Sequence, residues 1–192
     1  MGRVDVSYNL IHLTKDSNDK DAYSNLMNII DGRIIKASNR CVKGEHYCVC
    51  FSEAPIDCLD AKFCSRYSQF GLMFSKKHIY RIGGRPVIYQ HDNEYNTLPE
   101  SLRWRHVRYN PCGEGEDYND WTWEREWRVP SDVVFSSDDV HIIVPDREWV
   151  EKFLSDYKTD LEYQFLQYRE LFDETYAMQM VTPDTWKFVM LE

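Results

Sequence analysis

The sequence predicts an α+β fold: one domain over residues 1–192, with a mixed or antiparallel sheet over about 1–145 and a helical part over about 146–192. Three observations lead there. Strand-like alternation and helical periodicity follow one another without a fixed order. The segments between them are too uneven for repeating βαβ units, which leaves sheet and helix to segregate. No internal repeat or linker composition divides the 192 residues, a length that suits one sizeable core.

The elements justify this in order. "VSYNLIHLT" (6–14) alternates as a first strand, and the polar "KDSNDKD" offers helix N-caps. "AYSNLMNIID" (22–31) sets Tyr23, Leu26, Met27 and Ile30 on one helical face, with Gly32 as its stop. "RIIKAS" is a short extended piece. "HYCVCFSEAP" (46–55) is a second strand ended by Pro55, and residues 57–70 read as a helix ended by Gly71. "LMFSKKHIY" is a strand, or a strand and a short helix, and "PVIYQ" (86–90) is another strand. A long polar stretch (91–120) contains "LPESLRWRHVRY", a short helix leading into a strand. "WTWEREWRVP" (121–130) and "VHIIVP" (140–145) read as strands. From Asp146 the pattern is helical, broken near Asp156 to Thr159 and closed by Thr182–Pro183.

Composition removes several function classes. The net charge is −9, whereas general nucleic-acid coating needs a basic surface; only "RWRHVR" (103–108) and "KKHIYRIGGR" (76–85) are basic islands. No signal peptide and no apolar run of membrane-spanning length is present, and Val6 disfavours myristoylation, so a cytoplasmic protein without a membrane partner is expected. The six cysteines are then expected as free thiols. Five of them, with His46, fall between Cys41 and Cys64, but paired C-x-x-C spacing is absent, so no metal is expected there. No helical H-E-x-x-H or other ligand-spaced set supports a metal-dependent nuclease either. The aromatic content of 15% suits a core, and equally a pocket that stacks planar ligands.

Three places concentrate chemistry. The first is His12 and Thr14 in "LIHLT". The second is Phe51, Ser52 and Glu53 in "CVCFSEAP", with Tyr67 one helix later. The third is Glu124 and Glu126 in "WTWEREWRVP". On a strand, residues two apart share a face. Two carboxylates among Trp121, Trp123, Trp127 and Val129 then imply either a wet, salt-bridged face, with Arg103, Arg105 or Arg128 as partners, or a site.

The order of these motifs resembles the ADP-ribosyltransferase superfamily, its DarT-like and PARP-like branches in particular. H-x-T on a first strand is similar to the opening motif, and "CVCFSEAP…CSRY" to the aromatic strand followed by a Tyr. "EREWRVP" is similar to the E-x-E element of arginine-specific members. The stretch 8–130 also resembles the AbiGi-like abortive-infection family, through "VCFSEAPI", "YSQFGLMFSK", "GGRPVIY" and the W-x-x-E-x-E-x-R element. The resemblance implies a split sheet, NAD as substrate and no metal. It implies that His12 and Thr14 bind the adenine-side ribose region and that Phe51 and Tyr67 hold the nicotinamide. Ser52 would meet the ribose or buttress Glu126, and Arg81 or Arg85 would meet the pyrophosphate. Glu126 would stabilise an oxocarbenium-like transition state, and Glu124 would orient or deprotonate the acceptor. Phe51 stands where the PARP-like branch often has Tyr, and His12 where the arginine-specific branch has Arg, so the acceptor, protein or nucleic acid, stays open. The implied role is a toxin or phage-defence effector with a cognate antitoxin. The alternative is a non-catalytic nucleotide sensor or antitoxin whose acidic, aromatic C-terminal helices meet a toxin partner.

Overall fold

The computed structural model describes residues 6–40, 42–56 and 67–191. Strand β1 (Asn9–Leu13) leads through the polar loop into helix α1 (Ala22–Gly32). Asp21 caps α1 by accepting the Ser24 N–H at 2.7 Å, satisfying one of the first-turn donors. Tyr23, Leu26 and Ile30 are buried as their spacing predicts, and Met27 packs at the margin of the core. Each fully buried apolar side chain of this kind stabilises by about 1.5–3 kcal/mol. Gly32 does not stop the helix. It is the last helical residue, and Arg33 takes the left-handed position at φ 51°. That position normally favours glycine. Arg33 is held there by its side chain, which pairs with Asp184 and lies 4.8 Å over the Trp186 ring. Asp184 also accepts from Ser137 Oγ and Tyr157 Oη, and the Arg33 guanidinium holds its carboxyl below the usual range.

The next elements are β2 (Ile34–Ile35), β3 (Val49–Ser52), β4 (Gly71–Ser75) and α2 (Lys76–Arg81), the last capped by Ser75. The predicted helix over 57–70 lies outside the described residues up to position 66, and Tyr67–Phe70 is not helical. There Ser68 Oγ bonds the carbonyls of Thr14 and Phe70 instead, as a turn-forming serine does. The predicted strand 86–90 is two short ones, β5 (Arg85–Pro86) and β6 (Ile88–Gln90). They pair with different partners because the Val87 N–H turns to the Glu126 carbonyl. A 3-10 turn (Glu100–Arg105) leads into β7 (His106–Arg108), in the expected order.

The predicted strand 121–130 needs correction. Only its second half is one, β8 (Glu126–Val129); Thr122–Glu124 is a 3-10 turn and Arg125 is left-handed at φ 46°. Asp120 causes this, since its carboxylate accepts both the Thr122 N–H (3.0 Å) and Thr122 Oγ1 (2.6 Å) and starts a turn. Strands β9 (Val133–Val134) and β10 (Val140–Val144) follow.

Helix α3 (Arg147–Leu171) runs unbroken through residues 156–159, against expectation. Lys152–Asp156 and Lys158–Glu162 pairs span that stretch at i,i+4, and Phe153 and Tyr157 anchor it on Trp186. The break falls at Phe172 and Asp173, where Asp173 caps α4 (Glu174–Met180). The C-terminal part also holds a strand that the pattern did not predict, β11 (Phe188–Met190).

Seven strands form a mixed sheet in the order β11-β10-β4-β1-β3-β8-β5, antiparallel except for β10–β11. Strands β2–β9 and β6–β7 form two small pairs. One sheet face carries Leu10, Phe51, Leu72, Phe74, Val129 and Ile142, covered by α1 and by Trp149, Phe153 and Tyr157 of α3. The opposite face has a smaller cluster around Ile11, Ala54 and Ile143. This is one compact α/β domain with C-terminal helices, as the sequence predicts at that level.

The feature that positions the site is a gap in pairing. β1 matches β4 over five residue pairs, but it meets β3 only at Ile11↔Ser52. Beyond that point the end of β1 and the start of β3 diverge. Gly71 keeps β4 tight on the other side of β1, because a Cβ there would collide with the His12 carbonyl oxygen.

Candidate functional site

A cleft of about 920 Å³ lies where β1 and β3 part. Its walls come from the end of β1, α1, β3, β7 and the turn before β8. Small-molecule sites span roughly 300–1,000 Å³, so a dinucleotide-sized ligand fits the scale. Seven of the nine residues given a role in the NAD reading line it: His12, Thr14, Phe51, Ser52, Tyr67, Glu124 and Glu126.

His12 bridges the parted strands, its Nδ1 lying 2.8 Å from the Cys50 carbonyl oxygen. A carbonyl only accepts, so Nδ1 carries the proton and the neutral ring presents Nε2 as an acceptor. Burial lowers the pKa of His12, against the raising effect of the Cys50 carbonyl, which favours that neutral form. An acceptor nitrogen at a cleft wall suits a sugar hydroxyl.

Thr14 has a structural engagement. Its hydroxyl lies 2.8 Å from the Ala22 carbonyl and 3.1 Å from that of Phe70, tying α1 and the 67–70 segment to the end of β1. Phe51 is 2% exposed, and its ring packs edge-on to Phe74 and 5.8 Å from His12. It therefore belongs chiefly to the core under the cleft. Ser52 donates to the Glu124 carbonyl at 2.7 Å, so it fixes the turn that carries Glu124.

Glu124 and Glu126 do line one cleft, though not as alternate residues of a strand. Glu124 is buried in its turn and accepts from Tyr67 Oη at 3.2 and 3.3 Å. Glu126 opens β8 opposite Ser52, and its Oε1 accepts from Arg128 Nε at 2.7 Å. The turn is pinned through Tyr89, whose hydroxyl donates to the Trp121 carbonyl (3.2 Å) and accepts the Glu126 N–H (3.1 Å). Burial pushes the Tyr89 hydroxyl up to about 12. Cys50, beneath Glu126, is likewise pushed up, by burial and by the Glu126 carboxylate. The Cys48 thiol is raised by burial too. These thiols stay protonated and poorly nucleophilic at neutral pH. Among the described residues no group of three His, Cys, Asp or Glu side chains is placed to hold a metal ion.

Arg81 and Arg85 are not among the lining residues. The Arg85 guanidinium lies 4.0 Å over the Tyr80 ring and donates to the Tyr80 and Gly84 carbonyls, while Arg81 ends α2. The glycines before Arg85 serve the tight return from α2 to β5: a Cβ on Gly84 would strike Ile79. Other cations face the cleft. Lys36, Lys43, Arg108 and Arg128 pair with Asp132, Asp92, Asp117 and Glu126. Lys15 and Arg40 have no carboxylate partner among the described residues.

His106 was read only as part of the basic island 103–108, and the structure buries it. It is 2% exposed and packs edge-on to Tyr95, and neither ring nitrogen has a partner in good hydrogen-bond geometry among the described residues, although the His91 backbone lies near enough to favour its protonated form. Burial lowers its pKa. Its signal was present, as a histidine opening an apolar-polar alternation in "RHVRY", but its partners lie far away in the chain.

The two histidines predict a pH dependence of stability. Both folded-state values lie below the ordinary 6.5. As pH falls through 6.5 the unfolded chain takes up protons that the folded chain does not, so stability falls. The loss ends once pH drops below the folded-state values. The urea midpoint is expected to decline from pH 7 to pH 5, and the His12→Gln, His106→Gln double variant to flatten that slope. An unchanged slope would refute the assignment.

No family model, curated protein or solved structure matches this chain. No helix among the described residues is long and apolar enough to cross a membrane.

Proposed function

We propose that this chain is an NAD-dependent ADP-ribosyltransferase. The observation that supports it most is that one cleft, at the parting of β1 and β3, is lined by a hydrogen-bond-accepting histidine and two glutamates. In the reaction the bond between nicotinamide nitrogen and ribose C1′ breaks, and its electron pair leaves with nicotinamide. The acceptor's nucleophile bonds C1′ and gives up its proton. Positive charge builds on the ribose in between, and a carboxylate beside it lowers the barrier. Glu126 takes that role, and Glu124, oriented by Tyr67, receives the acceptor's proton. His12 Nε2 accepts from the adenine-side ribose. The site calls for no metal. The role in the cell is a toxin or phage-defence effector working in the cytoplasm on a protein or nucleic-acid acceptor, with a cognate antitoxin.

The diphosphate needs cations, and Lys15 and Arg40 replace Arg81 and Arg85 in this reading. The Lys15→Ala, Arg40→Ala double variant is expected to weaken NAD binding by about 10-fold, with a smaller dependence of affinity on salt. Arg81→Ala and Arg85→Ala are expected to bind as wild type. Calorimetric titration with NAD decides this, and loss in the latter pair alone would reverse the assignment.

A second reading is a nucleotide sensor or antitoxin without turnover. The acidic α3–α4 pair favours it, since it exposes Leu154, Leu166, Leu171, Phe172 and Met178. Nicotinamide release measured beside NAD titration separates the two. Binding with release supports the transferase, binding without release in the presence of candidate acceptors supports the sensor, and absence of binding removes both.

A further inference from the structure

We infer that Arg128 is the positioning residue for Glu126, an inference that rests on the reading of the cleft as a transferase site. Arg128 and Glu126 are two apart on β8, so their side chains leave the same face of the sheet. The Arg128 side chain is only 4% exposed, and the Glu126 side chain 14%. A guanidinium so deeply buried costs stability unless its donors are met. Three of the five are met, by two different kinds of group. Nη1 donates to the backbone carbonyls of Trp104 and His106, each at 2.9 Å. Nε donates to Glu126 Oε1 at 2.7 Å.

This division makes a lever. The 104–106 backbone fixes the plane of the guanidinium, and the rigid planar group fixes the carboxylate through Nε. Neither carbonyl moves with the strand that bears Glu126, so the carboxylate is referenced to a second part of the protein. Arg128 thus holds the carboxylate of a cleft-lining residue through Oε1. The two carbonyls anchor the guanidinium to the frame, and the carboxylate neutralises its charge. The third bond, to the group that faces the ribose, is what assigns it a part in the reaction. Misplacing a reacting group by about 1 Å can cost roughly 100-fold in rate. Arg128 itself touches no reacting atom.

The test is a double-mutant cycle read as nicotinamide release and NAD affinity on the full chain. Arg128→Met is expected to lower kcat by about 10- to 100-fold with the NAD dissociation constant within about threefold of wild type. Arg128→Lys, which reaches one partner but not both, is expected to fall between. In a Glu126→Gln background, Arg128→Met is expected to cause no further loss, because its effect runs through the carboxylate. Circular dichroism and thermal melts select folded variants, and Arg128→Lys carries the test if the Met variant unfolds. An equal kcat loss with and without the Glu126 carboxylate overturns the inference. So does a weakened NAD affinity with unchanged kcat. Wild type that binds NAD but releases nothing, or binds nothing, overturns the transferase reading and this inference with it. Turnover in wild type with an unaffected Arg128→Lys and Arg128→Met overturns this inference alone.

Discussion

Replacing Glu126 with Gln is expected to lower nicotinamide release from NAD by about 10²- to 10³-fold, the usual effect of removing one preorganised electrostatic group from a transition state. The substitution keeps shape and an acceptor oxygen, so Arg128 Nε retains a partner and the fold is expected to survive. NAD affinity is expected to stay within a few-fold, because the lost interaction is strongest once charge develops on the ribose. Glu124→Gln is expected to split differently. If Glu124 takes the acceptor's proton, its loss slows transfer to an acceptor more than hydrolysis by water. Equal turnover by Glu126→Gln and wild type would remove the transferase reading, and the pair Glu126–Arg128 would then be an ion pair of the sheet face.

Phe153→Ala is expected to give the largest stability loss outside the cleft, about 3–5 kcal/mol in urea unfolding. Phe153 is 0% exposed and is the one buried residue of the 25-residue helix α3. Its ring meets Trp186 edge-on at 6.2 Å and Phe188 at 5.4 Å. It therefore joins the helix both to the core and to the strand that closes the sheet edge. A cavity there also loosens Trp186, over which Arg33 lies, so the loss is not confined to the C-terminal part. By contrast, Leu166→Ala on the outer half of α3 is expected to change stability by less than about 0.5 kcal/mol, since that side chain is exposed. Comparable losses at both positions would mean that the outer half of α3 is buried in solution.

These expectations rest on features that the sequence displayed unevenly. β1, α1, β3 and β10 were legible because local alternation or helical spacing agrees with the faces they bury, as with Tyr23, Leu26 and Ile30. Glu124 was misplaced because five tryptophan and glutamate positions mimic strand alternation, while the deciding signal was Asp120 two residues before Thr122. Gly32 drew the helix end one residue early, because Arg33 is kept left-handed by Asp184, a partner far along the chain. β11 was illegible for a similar reason: three residues gain strand geometry only by lying along β10. In the cleft, residue types were readable and their duties were not. Ser52, Thr14 and Phe51 reach it, but their principal bonds and contacts are to the frame. Arg128 was legible as a salt-bridge partner of the glutamates, but its burial and its bonds to the Trp104 and His106 carbonyls were not, and the burial of His106 was equally hidden.

The narrow joint between β1 and β3 has a consequence for synthesis. His12, Ser52 and Glu126 stand on three strands side by side in the sheet, but they leave the ribosome far apart in time. The first two meet at a single residue pair, which is weak until β8 pairs with β3 over four more. A nascent chain ending anywhere before Val129 therefore lacks both glutamates or their strand, and holds an unfinished wall. Under the proposed activity, a cell making this protein is exposed to no partial enzyme until Val129, two-thirds of the way through these 192 residues, has been added, and whatever restrains it has that long to arrive.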